Sequence, residues 1–355
     1  MFAERLMHLA PPQVTGYVLD GIATTSGAPE FFYASKWDNN FGEVGDAFLA
    51  LGESDSNCKP HFDSNGLNNT LQGVLEQFDH DPNSTCAALV NSTVETGESP
   101  SANLWIALGN ALTDSYARTL IPPVVYRLGR CAPEDMDVLT QFFTTVSAAA
   151  NDKTQDSAYE STLLYSLIVF SEMLESPVPS MSELKDRFTS VKMSTAFYSL
   201  GPQYCAFSKE DSLSCKEINV GTYESNGIVY KRDQYWNKTA TIPNQASVLL
   251  LSGKLDPQTP NKYAEYLLNA LRGEKKELIA FEYATHGTVM TTPMVADNPW
   301  SETCGMKVLA SYVRVGGDLE RLDKSCVAEM PAFNLTTPDY YLYSYFGTDD
   351  AYDGV

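Results

Sequence analysis

Two side chains stand where acid–base chemistry is readily built: Asp256 in "LLLSGKLDPQTP" (Leu249–Pro260) and His286 in "FEYATHGT" (Phe281–Thr288). Each stretch reads as an apolar strand breaking into a polar loop. In parallel α/β sheets, sites form just beyond the carboxyl ends of strands. An aspartate there can accept a hydrogen bond from one imidazole nitrogen, fix the tautomer and stabilise the imidazolium, leaving the other nitrogen to take a proton from a hydroxyl. Gly287 lets the chain turn tightly beside the ring. Taken singly, an Asp before Pro is most often turn chemistry and a lone His an ordinary polar residue. The pair, at the ends of successive strands, is a stronger signal. His8, His61 and His80 have no comparable setting and read as structural or surface residues.

The elements that must position the pair follow an alternating pattern. "ASVLLLSG" (246–253) reads as a strand. Thr259 is expected to cap a helix with Pro260 in its first turn. "NKYAEYLLNALRG" places Tyr263, Leu267, Leu268 and Leu271 on one helical face, with Gly273 available to end it. "KELIAFEYA" is the next strand, and "TCGMKVLASYVRVGG" a further helix ending at Gly316 and Gly317. Near the start, Phe2–Leu9 has helical spacing and stops before Pro11 and Pro12. Val14–Ile22 then reads as a buried parallel strand. Alternating strand and helix implies a parallel sheet with helices on its faces.

Between these parts the character changes. From about Thr25 to Asn244, polar loops alternate with helical stretches, clearest in 101–129, 157–176 and 181–191, the last with Ser182 as a plausible cap. The expected organisation is α/β: residues 1–30 and 241–320 as parts of a sheet core, 31–240 as a mostly helical insertion, and 321–355 as an acidic, aromatic tail that covers a surface or is mobile.

Composition narrows the partners. With 43% hydrophobic residues the chain can bury a substantial core, and 355 residues suit two structural units or one domain with a large insertion. The net charge of −21 argues against nucleic acid and would attract cationic groups, a peptide's free amino terminus among them. For most of these carboxylates the plainer role is solubility. No run of about 18 apolar residues suggests a membrane span. Five N-x-Ser/Thr sequons begin at Asn68, Asn83, Asn91, Asn237 and Asn334, and seven cysteines are scattered without metal-ligand spacing. Together they favour disulfides and an extracellular setting, although "MFAERLMHLAPPQV" lacks the regions of a signal peptide. An odd cysteine count leaves one thiol without an intrachain partner.

The G-x-x-D-x-x-T-P pattern at Gly253–Pro260, followed by "FEYATHGT", resembles the end of an α/β-hydrolase serine exopeptidase of the prolyl and tripeptidyl aminopeptidase family, with its TAP-like C-terminal region. Asp before His matches the late half of the Ser…Asp…His order of α/β-hydrolases. "ERLMHLAPPQVTGYVLDGI" is similar to the helix and strand after that family's nucleophile elbow, and the helical middle resembles its cap. The resemblance implies a partial α/β-hydrolase sheet with a helical cap insertion. It also implies serine acyl transfer without metal or organic cofactor, and Asp256 and His286 as triad members. Glu172 resembles the cap carboxylate that holds a substrate's amino terminus; otherwise it is a solvated helix residue. Phe170 stands where many relatives would carry a cysteine, which offers a lost disulfide as one source of the odd thiol.

No G-x-S-x-G occurs in the 355 residues. Cys205 and Ser252 could replace the serine by residue type only, since neither reads as an elbow. The expectation is therefore the C-terminal portion of a secreted exopeptidase, nearly inert alone, whose Val14–Ile22 strand leaves an uncovered sheet edge prone to self-association. The alternatives are a non-catalytic peptide- or partner-binding relative and an esterase-type hydrolase on the same fold.

Overall fold

The computed structural model describes residues 1–29, 32–62, 65–94, 97–151, 158, 161–296 and 298–354. In chain order the main elements are α1 (Phe2–Leu9), β1 (Gly16–Asp20), α2 (Trp37–Ser54), α3 (Gly66–His80), α4 (Thr85–Thr93), α5 (Pro100–Leu112), α6 (Ile121–Arg130), α7 (Met136–Asn151), α8 (Thr162–Glu172), α9 (Met181–Thr189), α10 (Gly201–Ser208), α11 (Leu213–Ile218), β2 (Ser247–Gly253), α12 (Asn261–Ala270), β3 (Lys276–Phe281) and α13 (Cys304–Arg314). They form two compact units.

The first unit, drawn from residues 1–40, 154–190 and 196–331, contains a three-stranded sheet in the order β1-β2-β3. Both pairings are parallel, with Leu19 opposite Leu250 and Leu250 opposite Leu278. Every residue of β2 is buried, as a central strand covered on both faces requires. Its alternation sends Val248 and Leu250 into a core with Met7 of α1 and Tyr263 and Leu267 of α12. Leu249 and Leu251 face the opposite core, with Val308 and Tyr312 of α13. Helices therefore cover both faces, and the architecture is a small partial α/β sheet within a largely helical chain.

The second unit, from residues 41–153, 191–195 and 332–355, is helical. Phe78, Leu108, Val124, Phe142 and Phe143 share its core with Leu335, Leu342 and Phe346 of the aromatic tail. Fully buried Arg127 donates to the carbonyls of Asp350, Ala351 and Gly354 and pairs with Asp135 at 3.1 Å. The end of the tail is thus part of a packed core. The expected division placed 321–331 with this tail, but those residues belong to the first compact unit, whose α13-side core contains Leu322 and Cys326. The expected boundary at residues 30 and 31 lies outside the described residues.

Several local expectations change in detail. The strand expected over Val14–Ile22 is confined to Gly16–Asp20, because Gly21 leaves extended geometry at φ 68°. The helical run 101–129 is interrupted: Asp114 binds the amides of Tyr116 and Ala117, and Pro122 and Pro123 start α6 anew. The cap of α9 is Ser180, which accepts from the Glu183 amide, not Ser182. Of the run 157–176, α8 takes only Thr162–Glu172, capped by Ser161, while 157, 159 and 160 lie outside the described residues. Helix α12 has Pro260 at its cap position and receives no side-chain cap, so Thr259 is released for another role.

Candidate active site

Strands β2 and β3 run parallel in register and end side by side at Gly253 and Phe281. The loops beyond them are tied together: Lys254 N–H donates to the Phe281 carbonyl and Leu255 N–H to that of Ala284. Gly253 permits this approach, since a Cβ there would collide with the Ala284 carbonyl. Asp256 and His286 are thereby delivered to the same place.

Asp256 Oδ2 lies 3.0 Å from His286 Nδ1. The carboxylate is 1% exposed and fully engaged. Its Oδ1 accepts the amides of Gln258 and Thr259 at 2.9 Å each, and its Oδ2 also accepts the Thr259 hydroxyl at 2.6 Å. Turn chemistry and imidazole orientation therefore coexist in one side chain. An ionised carboxylate only accepts, so Nδ1 carries the hydrogen and Nε2 is the basic nitrogen. The ring is 38% exposed, and among the described residues Nε2 has no hydrogen-bond partner. Burial pushes the imidazole pKa down from its ordinary 6.5. The hydrogen bond and charge of Asp256, with a contribution from Asp20, outweigh that and hold it above the ordinary value.

Three contributors were not read as part of the site from the sequence, Thr259 having been expected only as a helix cap. Thr259 lies between Asp256 and His286, its hydroxyl 2.6 Å from Asp256 Oδ2 and 3.1 Å from His286 Nδ1; it is the Thr of G-x-x-D-x-x-T-P. Asp20 ends β1 and accepts the amides of Thr288 and Val289 and the Thr288 hydroxyl, each at 2.9 Å. Gly21 lies against the imidazole, where a Cβ would sit 2.6 Å from Cε1. The only sequence signal for Asp20 and Gly21 was an Asp-Gly closing a strand. Gly287 adopts φ 73°, consistent with the tight turn expected beside the ring.

Glu172 is at the end of α8 and buried, which removes the reading of it as a solvated residue. Arg5 of α1 pairs with its Oε2 at 2.9 Å and Tyr230 donates to its Oε1 at 3.1 Å. Among the described residues its carboxylate is bound by Arg5 and Tyr230 and not by Asp256 or His286, so the structure brings together two of the three residues singled out. Arg5 also binds Asp233 at 2.9 Å. Its neighbour Glu4 accepts the Thr24 hydroxyl at 2.8 Å.

The alternative nucleophiles fall away. Cys205 is bridged to Cys215, and Ser252 is a buried residue of β2. Cys86–Cys131 and Cys304–Cys326 are also bridged, leaving Cys58 as the free thiol. Phe170 is packed against Tyr204 and Phe207 in the first unit, whereas Cys58 belongs to the second. His8 stacks on Tyr235 and His61 on Tyr352. A cavity of about 650 Å³ opens at the opposite, amino-terminal ends of the strands, beside Thr15, Ser247 and Lys276, and contains neither Asp256 nor His286. Among the described residues no cluster of three His, Cys, Asp or Glu side chains could hold a metal ion, and no helix is long and apolar enough to cross a membrane.

Comparison with curated proteins and with solved structures finds no match. Residues 210–326, about a third of the chain, match the family model described as TAP-like protein, of the α/β-hydrolase type. The matched span carries β2, β3, Asp256, His286 and the Cys304–Cys326 bridge, and it supports a hydrolase of the α/β family.

Proposed function

We propose that this chain carries the acid and base of an extracellular serine-type aminopeptidase, with the nucleophilic hydroxyl supplied by polypeptide outside these 355 residues. The observation that carries the reading is the 3.0 Å Asp256–His286 contact at adjacent parallel strand ends, with Nε2 turned to no protein partner among the described residues. A hydroxyl placed at Nε2 loses its proton to His286 as it attacks the peptide carbonyl. His286 then passes that proton to the departing amine, leaving an acyl ester. Water attacks the ester, gives its proton to His286, and the acid leaves as the hydroxyl is restored. Asp256 stays ionised throughout and stabilises the imidazolium.

The amino-terminal preference rests on Glu172. Arg5 and Tyr230 use two of roughly four acceptor positions on its carboxylate, so others remain for a substrate ammonium. The acidic chain favours approach of that cation. Three disulfides fit an oxidising compartment.

The upstream reading frame is the first test: an in-frame G-x-S-x-G followed directly by this sequence is expected. The longer polypeptide should hydrolyse aminoacyl or tripeptidyl amides, and His286→Ala in it should lower kcat by roughly three or more orders of magnitude. The 355-residue chain alone should be nearly inert. Unchanged turnover in His286→Ala would remove the assignment of the base, and preference for simple esters over amides with a free amino terminus would favour an esterase.

A further inference from the structure

We infer that Asp20 is a positioning residue for His286, and that Asp20 and Gly21 together form the seat that holds the imidazole against Asp256. The inference rests on the reading of His286 as the base. Three hydrogen bonds of 2.9 Å run from Thr288 and Val289 to the Asp20 carboxylate, clamping the backbone two and three residues beyond the histidine. The ring itself lies over Gly21, where any side chain would overlap it. The chain turns back immediately afterwards, with Met290 and Thr291 amides donating to the Gly287 carbonyl. One side of the imidazole is thus bounded by Gly21, just past β1, its Nδ1 edge by Asp256 and Thr259, and its following backbone by Asp20.

The charged groups acting on the ring are Asp256, from the loop after β2, and Asp20, from β1. A plain turn cap would stabilise residues 287–291 without governing the ring's tautomer. A seat must do both. Asp20→Asn separates these cases, because a carboxamide offers one acceptor and one donor where the carboxylate accepts on both oxygens. Whichever way the amide is turned, its NH₂ faces an N–H or the Thr288 hydroxyl.

The test is imidazole ¹⁵N NMR of the full 355-residue chain, with the His286 signals assigned by His286→Gln. In the parent chain above the titration midpoint, His286 should be a single Nδ1–H tautomer. In Asp20→Asn the Nε2–H tautomer should become populated, and the midpoint should fall by roughly half a pH unit or more. Thr288→Val, which removes one of the three bonds and spares the carboxylate, should shift the tautomer ratio in the same direction by less; it serves if Asp20→Asn does not fold. Folded variants with the parent tautomer would overturn the seat, even if the midpoint moves. Peptide hydrolysis does not enter this readout, so the seat and the peptidase reading can fail separately.

Discussion

His286 has a proton affinity above that of a free imidazole, because Asp256 and Asp20 outweigh the opposing effect of burial. The sign of the linkage follows. A group whose folded pKa exceeds its unfolded value contributes stability that is fully present below the unfolded value near 6.5 and is lost as pH rises through the folded one. Thermal melts of the parent chain should therefore show a small loss of Tm on going from pH 6 to pH 8 that His286→Gln lacks. The effect is small because the ring is more than a third exposed. An equal decline in the two proteins would contradict the assignment. Chemistry runs the other way, since a base must be neutral: hydrolysis by an active longer form should fall on the acid side of a midpoint above 6.5. Cys58 is the opposite kind of residue. It is 0% exposed, and burial, with Asp55 adding, pushes its thiol up to about 12. Iodoacetamide at pH 8 should leave it unmodified in the native chain and label it after denaturation; rapid native labelling would show the thiol to be accessible.

At the level of elements, the chain places small polar residues by job, and neighbouring candidates are not equivalent. Ser180 accepts from the third amide of α9, whereas Ser182 lies inside that helix. Ser180→Ala should destabilise the first unit by about 1 kcal/mol, and Ser182→Ala should change stability by at most a few tenths. Equal effects in urea denaturation would show that the cap is misplaced. Thr259 makes the same point. Its position before Pro260 fits a helix cap on pattern alone, yet its hydroxyl is spent on Asp256. A helix cap and a partner for a buried carboxylate look identical in one dimension, and Asp256, three residues earlier, decides between them.

For the whole molecule, the sheet has two open edges among the described residues. Among the described residues β1 and β3 each pair only with β2, so the outer edge of each lacks a strand partner. Tyr17 and Leu19 of β1 are already buried, so pairing at that edge would run through the backbone. Light scattering of the purified chain should show dimers or larger species increasing with concentration. A strictly monomeric chain with one cooperative unfolding transition would count against edge pairing. The aromatic tail carries no such liability, because Arg127 and the core of the second unit hold its end in place.

What could be read in one dimension was whatever depends on local pattern. The apolar run of β2, the one-sided helical spacing of α12 and the two polar loops announced a parallel sheet with Asp256 and His286 at its strand ends, because burial period and strand-end loops are written in neighbouring residues. The structure brings those two residues to 3.0 Å. Glu172 was legible as a residue but not in its partnership with Arg5, 167 positions away. Asp20 and Gly21 were visible only as the end of a strand. Their bearing on His286 arises because β1 and the β3 loop, more than 260 residues apart along the chain, converge in space. Only tertiary structure decides such contacts, since a hydrogen bond or a missing Cβ acts over about 3 Å and sequence carries no record of which distant segments come that close.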